Sequence, residues 1–264
     1  MIVDAHAHIG SFRGYDIGES ILMESMQESR IAFAIVSNLD GAGLKGITGD
    51  LDETAANQAT LKFVQGHPKQ FRGLLWARPE NGDPAKLQAF LDGERGVFVG
   101  IKFHPEFNRY TADDPRLDPY LQLCEKYELV AVFHCGRNDG NSAPEKIYAA
   151  ARRHPTVPFV LYHMGFFGPH DAAVAVAKRA KQQRDALLYL ETAQAAPDAV
   201  LSAIRTLGSE HVLFGTDATY YGKQHYSRYD SMLRLLQNNL TGQEYANVTA
   251  GNAIKLFRLR DFSR

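Results

Sequence analysis

The chain has 264 residues, 45% hydrophobic and 22% charged, enough for one large core or two small ones and a length that suits an αβ barrel. Its 29 Lys plus Arg against 30 Asp plus Glu leave a formal net charge of −1, so no field favours nucleic acid or an anionic membrane as partner. Cys124 and Cys135 make no disulfide framework, and no apolar run approaches the roughly 20 residues needed to cross a bilayer.

The opening stretch MIVDAHAHIG lacks the basic region and long apolar run of a signal peptide, so a cytoplasmic location is expected. The sequons at Asn239 and Asn247 are then chance matches. Residues 2–8 read as the first strand, and strict alternation puts Asp4, His6 and His8 on one face, with His8 at the C-terminal end. A helical pattern covers 19–30 and a second strand 33–38. Gly41, Gly43 and Gly46 then have GxGxxG spacing, but the next helical pattern, 52–65, starts too late for them to open it, so a flexible loop is expected.

Strands follow at 71–77 and 97–103, with Lys102 and His104 on one face by alternation. Asp83-Pro84 and Asp114-Pro115 mark helix starts. The strand 129–134 ends in His134, which leaves Cys135 pointing away as a packing residue. A helix over 144–154 leads to the strand 158–163, ending in His163. The run KRAKQQR (178–184) reads as a solvated helix face. The strand 187–192, a helix over 197–208 and the strand 212–217, ending in Asp217, complete the pattern.

Strands alternating with helices imply parallel pairing and right-handed crossovers, and eight of them at this length imply closure into an α/β (β/α)8 TIM barrel, with an open doubly wound sheet as the competitor. No linker divides the chain, so residues 1–264 are read as one domain. In such a barrel His8, His134, His163 and Asp217 share the C-terminal rim, where these folds place their chemistry. One strand-end histidine is more often structural than a ligand. Several imidazoles with a carboxylate suit a divalent ion such as zinc, manganese or iron.

The set Asp4-Ala-His6-Ala-His8, Gly100-Ile-Lys102-Phe-His104-Pro105, His134, His163, Leu213-Phe-Gly215-Thr-Asp217 and the closing run from Gly251 to Phe257 closely resembles the amidohydrolase superfamily. Within it, the resemblance is to the amidohydrolase-related (amidohydrolase 2) branch of metal-dependent hydrolases and aminocarboxymuconate-semialdehyde-decarboxylase-like enzymes. The resemblance implies His6, His8 and His134 as metal ligands, with zinc the first choice of ion. It implies Asp217 as the last ligand and proton acceptor, and His163 beside the metal, bonding the water or a developing oxyanion. In binuclear relatives a strand-four lysine is carbamylated; the KxHP form here resembles the mononuclear branch, which leaves Lys102 as an interior lysine paired with a carboxylate. Asp4 either orients a ligand imidazole or makes a structural hydrogen bond in the barrel floor.

The reaction implied is hydrolysis of an amide, lactone or ester by a metal-activated water. The alternative is a non-oxidative decarboxylase, a carbon–carbon lyase, on the same ligands. A non-catalytic metal-stabilised barrel and a nucleic-acid phosphodiesterase are the remaining readings. Candidate substrate contacts are Arg13, His104 and Tyr220, for a small neutral or singly charged organic molecule. The sequence leaves assembly into a homo-oligomer open.

Overall fold

The computed structural model describes residues 1–15, 17–94, 96–137 and 139–259. Residues 260–264 of the expected domain lie outside the described residues. Eight parallel strands pair in chain order: β1 (Val3–Ile9), β2 (Phe33–Asn38), β3 (Phe71–Trp76), β4 (Phe98–Phe103), β5 (Val130–His134), β6 (Pro158–Tyr162), β7 (Leu187–Glu191) and β8 (Val212–Leu213). The barrel closes between its first and last strands, where the amide of Ala5 donates to the carbonyl of Phe214 at 3.0 Å and that of His8 to Ala218 at 2.8 Å.

Parallel neighbours require crossovers, and the sequence supplies helices for them. They include Glu19–Glu28, Glu53–Gly66, Pro84–Gly93, Asp118–Tyr127, Pro144–Arg153, Asp171–Gln183 and Pro197–Leu207. Their starts carry the expected signals. The Asp52 carboxylate accepts from the amide of Ala55 at 2.8 Å and Asp83 accepts from Ala85 at 3.0 Å, caps worth about 1 kcal/mol each. Among the described residues no helix is long and apolar enough to cross a membrane. The GxGxxG run starts within a turn over Leu39–Ala42 with Gly43 left-handed, and the next α-helix begins only at Glu53.

Two apolar layers follow from the alternation. Val3, Phe33, Ile35, Leu74, Val132, Val160 and Leu213 pack together inside the barrel, joined by Ala250, Ala253 and Phe257 of the C-terminal helical turns. Ile101, Phe103, Phe133, Leu161 and Leu190 point outward against the helices. Each fully buried side chain of this kind contributes about 1.5–3 kcal/mol.

Two sequence expectations change here. The register of β1 against β2 slips between Asp4 and Ala7, a bulge that reverses alternation, so Asp4 does not share the face of His6 and His8. The strand expected over 212–217 stops at Leu213. Beyond it, the Thr192 hydroxyl ties the main chain of Gly215, Asp4 ties Thr216, and Asp217 is left-handed at φ 60°. A Cβ at position 215 would collide with the Glu191 carboxylate, so glycine is required where the chain leaves the sheet.

Candidate metal centre

Five imidazoles line one cavity of about 430 Å³ at the C-terminal ends of the strands. Ring centroids step round its wall, with His104 4.1 Å from His134, His134 4.9 Å from His163, His163 4.9 Å from His6 and His6 5.0 Å from His8. His163 follows β6 with φ 70° and Asp217 follows β8 with φ 60°. Left-handed backbone at a residue with a Cβ costs about 1–2 kcal/mol, and here it coincides with both side chains reaching the cavity.

The tightest group is a triangle. Nε2 of His6 lies 3.1 Å from Nε2 of His8 and 3.3 Å from Oδ1 of Asp217, and Nε2 of His8 lies 2.9 Å from the same oxygen. The opposite ring nitrogens are committed elsewhere. Nδ1 of His6 faces the Glu191 carboxylate at 2.9 Å, and Nδ1 of His8 faces the carbonyl of Ser37 at 3.3 Å. The Ser37 hydroxyl also lies 3.0 Å from Nδ1 of His8; with the Nδ1 protons directed to the Glu191 carboxylate and the Ser37 carbonyl, three lone pairs converge in the triangle. Such a centre calls for a positive charge between the three atoms. Two ligand atoms at about 2.1 Å from one ion and about 90° apart lie ~3.0 Å from each other, so the donor set and its spacing fit a divalent cation. His6, His163 and Glu191 form a second close group of potential ligands.

Electrostatics point the same way. Burial pushes His6 well below the ordinary imidazole range, with Lys102 and His163 adding to it, and keeps the ring neutral as a ligand must be. Burial opposes ionisation of Asp217, but the contact with His8 and the hydrogen bond from the Gln194 amide outweigh it, so Asp217 lies below the usual carboxylate range.

The end of β7 supports this centre, and sequence reasoning missed it. Glu191 is fully buried; besides His6 it accepts from the amides of His163 and Ala193. The carbonyl of Ala193 faces Nδ1 of His163 at 3.3 Å, and Nε2 of Gln194 donates to Oδ2 of Asp217 at 3.2 Å. The available signal was an acid closing an otherwise apolar strand, LLYLE. Tyr162 stacks on His6 at 3.6 Å and donates its hydroxyl to Ala5, fixing the ring from the side.

The other sequence candidates sort by position. His134 lines the cavity but its nitrogens join neither close ligand group among the described residues. His163 lies beside His6, and burial brings it down to about 4. With Nδ1 protonated toward Ala193, its Nε2 accepts, so the neutral ring can receive a hydrogen bond from water but cannot donate one to an oxyanion. Lys102 lies on the floor of the cavity, its ammonium 4.0 Å from the Tyr162 ring centre and in no ion pair among the described residues, so the expected carboxylate pairing is replaced by a cation–π contact. Burial brings Lys102 down to about 7.

His104 faces the cavity, stacked on Phe107 at 3.8 Å, and also caps the following turn by accepting from the Phe107 amide at 3.3 Å. Trp76 stacks beyond it at 6.0 Å and donates to Asn108 at 3.1 Å. Tyr220 lines the mouth. Arg13 does not: Asp40 pins Ser11 and Gly49, the Arg13 amide binds Ile47, and the Arg13 side chain is exposed, while Phe12 and Tyr15 reach the cavity. Asp4 orients no imidazole; it accepts from the His6 and Thr216 amides and from the Thr216 and Tyr226 hydroxyls at 2.7–3.0 Å. Cys135 is buried among apolar side chains, as expected.

The upper walls are aromatic, formed by Phe12, Phe107, Phe166 and Tyr220, and among the described residues no arginine lines the cavity. A second cavity of similar volume lies at the opposite end, near Tyr189, Glu210 and Lys255, and no close ligand group falls there among the described residues.

A family model described as Amidohydrolase matches residues 3–259. No curated protein matches the sequence. Among solved structures, an amidohydrolase from Burkholderia multivorans with bound zinc is 15% identical at a TM-score of 0.72, over 98% of this chain and 99% of that one. A 2,6-dihydroxybenzoate decarboxylase from Rhizobium is 14% identical at 0.72, over 98% of each chain. A 5-carboxyvanillate decarboxylase from Novosphingobium aromaticivorans, in complex with manganese and a nitrobenzoic acid, is 18% identical at 0.67, over 92% of this chain and 80% of that one. These likenesses are of fold.

Proposed function

The chain belongs to the amidohydrolase family, and from that premise we propose that it is a metal-dependent hydrolase of a small, flat organic substrate carrying an amide, lactone or ester. The observation that carries the reading is the converging triangle of His6, His8 and Asp217 at the base of an aromatic-walled cavity. His134 and His163, on the adjoining wall, complete the proposed set of residues. A divalent cation held there would supply Lewis-acid charge to polarise a carbonyl and acidify a water; zinc is the first choice and manganese the second, ions present in the two metal-bearing neighbours.

The protein's own groups then have distinct tasks. Asp217, held ionised, takes the proton of the attacking water and returns it to the leaving group. His163 accepts a hydrogen bond and so orients that water. Phe107, Phe166 and Tyr220 stack against a flat substrate and exclude bulk water. His104 presents its edge, because Phe107 and His134 cover its faces.

The second reading is non-oxidative decarboxylation of an aromatic acid. The aromatic walls, the buried Lys102 cation and the likeness to two decarboxylases support it. One screen separates the two: metal-loaded protein is offered aryl lactones, esters and amides beside hydroxybenzoates, with acid release and carbon dioxide followed together. Acid release supports the hydrolase; carbon dioxide without hydrolysis overturns it.

A further inference from the structure

The two oxygens of Asp217 have different partners. Oδ1 faces Nε2 of both His6 and His8, at 3.3 and 2.9 Å, whereas Oδ2 receives Nε2 of Gln194 at 3.2 Å. Gln194 lines the cavity and follows β7 with φ 64°, a left-handed backbone uncommon for a residue with a long side chain. Its main-chain N–H donates to the Tyr229 hydroxyl at 3.2 Å, and that hydroxyl donates to the carbonyl of Thr216 at 2.7 Å, beside Asp217. The segment that bears Gln194 and the turn that bears Asp217 are thus locked to each other through Tyr229, and the carboxamide reaches across the same gap.

We infer that Gln194 is a positioning residue that makes Asp217 a one-oxygen ligand. By occupying Oδ2 it prevents the carboxylate from chelating the cation through both oxygens, and so keeps a coordination position free for water or substrate. Carboxylates readily bind metal ions through either one or both oxygens, so the choice must be imposed by a neighbour. Gln194 is the only side chain placed to donate to Oδ2 among the described residues. The inference rests on the metal-centre reading above and adds to it a device that sets the coordination number.

The test uses cobalt as the probe ion, because its visible bands weaken as coordination number rises. Wild-type protein, Gln194→Leu, Gln194→Asn and Gln194→Gly are titrated with cobalt. Asn and Gly both tolerate the left-handed backbone, and neither reaches Asp217. Failure of the wild type to bind cobalt would overturn the metal-centre reading itself. If the wild type binds, all three variants should show weaker, shifted visible bands, the sign of a carboxylate that has taken up the ion through its second oxygen. Spectra superimposable on the wild type in Leu and Asn variants would overturn the assignment. So would a wild-type spectrum in Asn alone, since backbone shape, rather than the reach of the carboxamide, would then set the site.

Discussion

Oε2 of Glu191 lies 2.9 Å from Nδ1 of His6, and neither side chain is more than 1% exposed. Burial pushes Glu191 well above the ordinary carboxylate range against the pull of the His163 and Ala193 amides, so positive charge on the far side of the imidazole favours its ionised form. Glu191→Gln should therefore weaken binding of zinc or manganese about 10- to 100-fold. Competition against a chromophoric chelator measures it, and an unchanged affinity would rule out this coupling.

Asp217 is both a member of the triangle and the proposed proton acceptor. Asp217→Asn should lower turnover about 100-fold or more on whichever substrate the screen yields, while the circular dichroism of the metal-free protein stays that of the wild type. Retained turnover would remove Asp217 from the chemistry.

Tyr226 donates one of four hydrogen bonds to the buried Asp4, at 2.8 Å. Tyr226→Phe should cost about 1 kcal/mol in urea unfolding and leave zinc affinity within about threefold, well inside the range for a direct partner of a ligand. A large loss of affinity would mean that Asp4 acts on the metal centre after all.

His225 supplies a pH dependence. Its Nε2 donates to the carbonyl of Thr216 at 2.9 Å, its Nδ1 is buried without a hydrogen-bond partner among the described residues, and burial lowers it from 6.5 to about 4. The unfolded chain therefore binds this proton at a higher pH than the folded one. The contribution to stability is full above pH 6.5 and is lost as pH falls through about 4, by at most a few kcal/mol, on the order of 3. Unfolding midpoints from pH 7 to 4 should fall less steeply in His225→Phe; equal slopes would assign the acid sensitivity to the other histidines.

The barrel was legible because alternating strands and helices carry their own periods, and the rim histidines because they close those strands. What failed was strict alternation in β1. The bulge between Asp4 and Ala7 is set by pairing to β2 and by bonds to the chain after β8, more than two hundred residues away, and no local pattern encodes it. Glu191 was hidden for a related reason. A lone acid at a strand end gains meaning only when β7 brings it beside β1. Arg13 was misplaced because Asp40, on a different loop, decides which side of its turn faces inward. Lys102 was placed on the right face but given the wrong partner: the aromatic ring that holds it comes from β6.

Trp76 is the chain's only tryptophan, fully buried, and its ring lies nearly parallel to the His104 imidazole with centres 6.0 Å apart. Its emission, excited where tyrosine does not absorb, is therefore a single-point optical gauge of the histidine-lined cavity. Any ligand that shifts the His104 stack should alter the emission, so occupancy can be followed without a label and before a substrate is known.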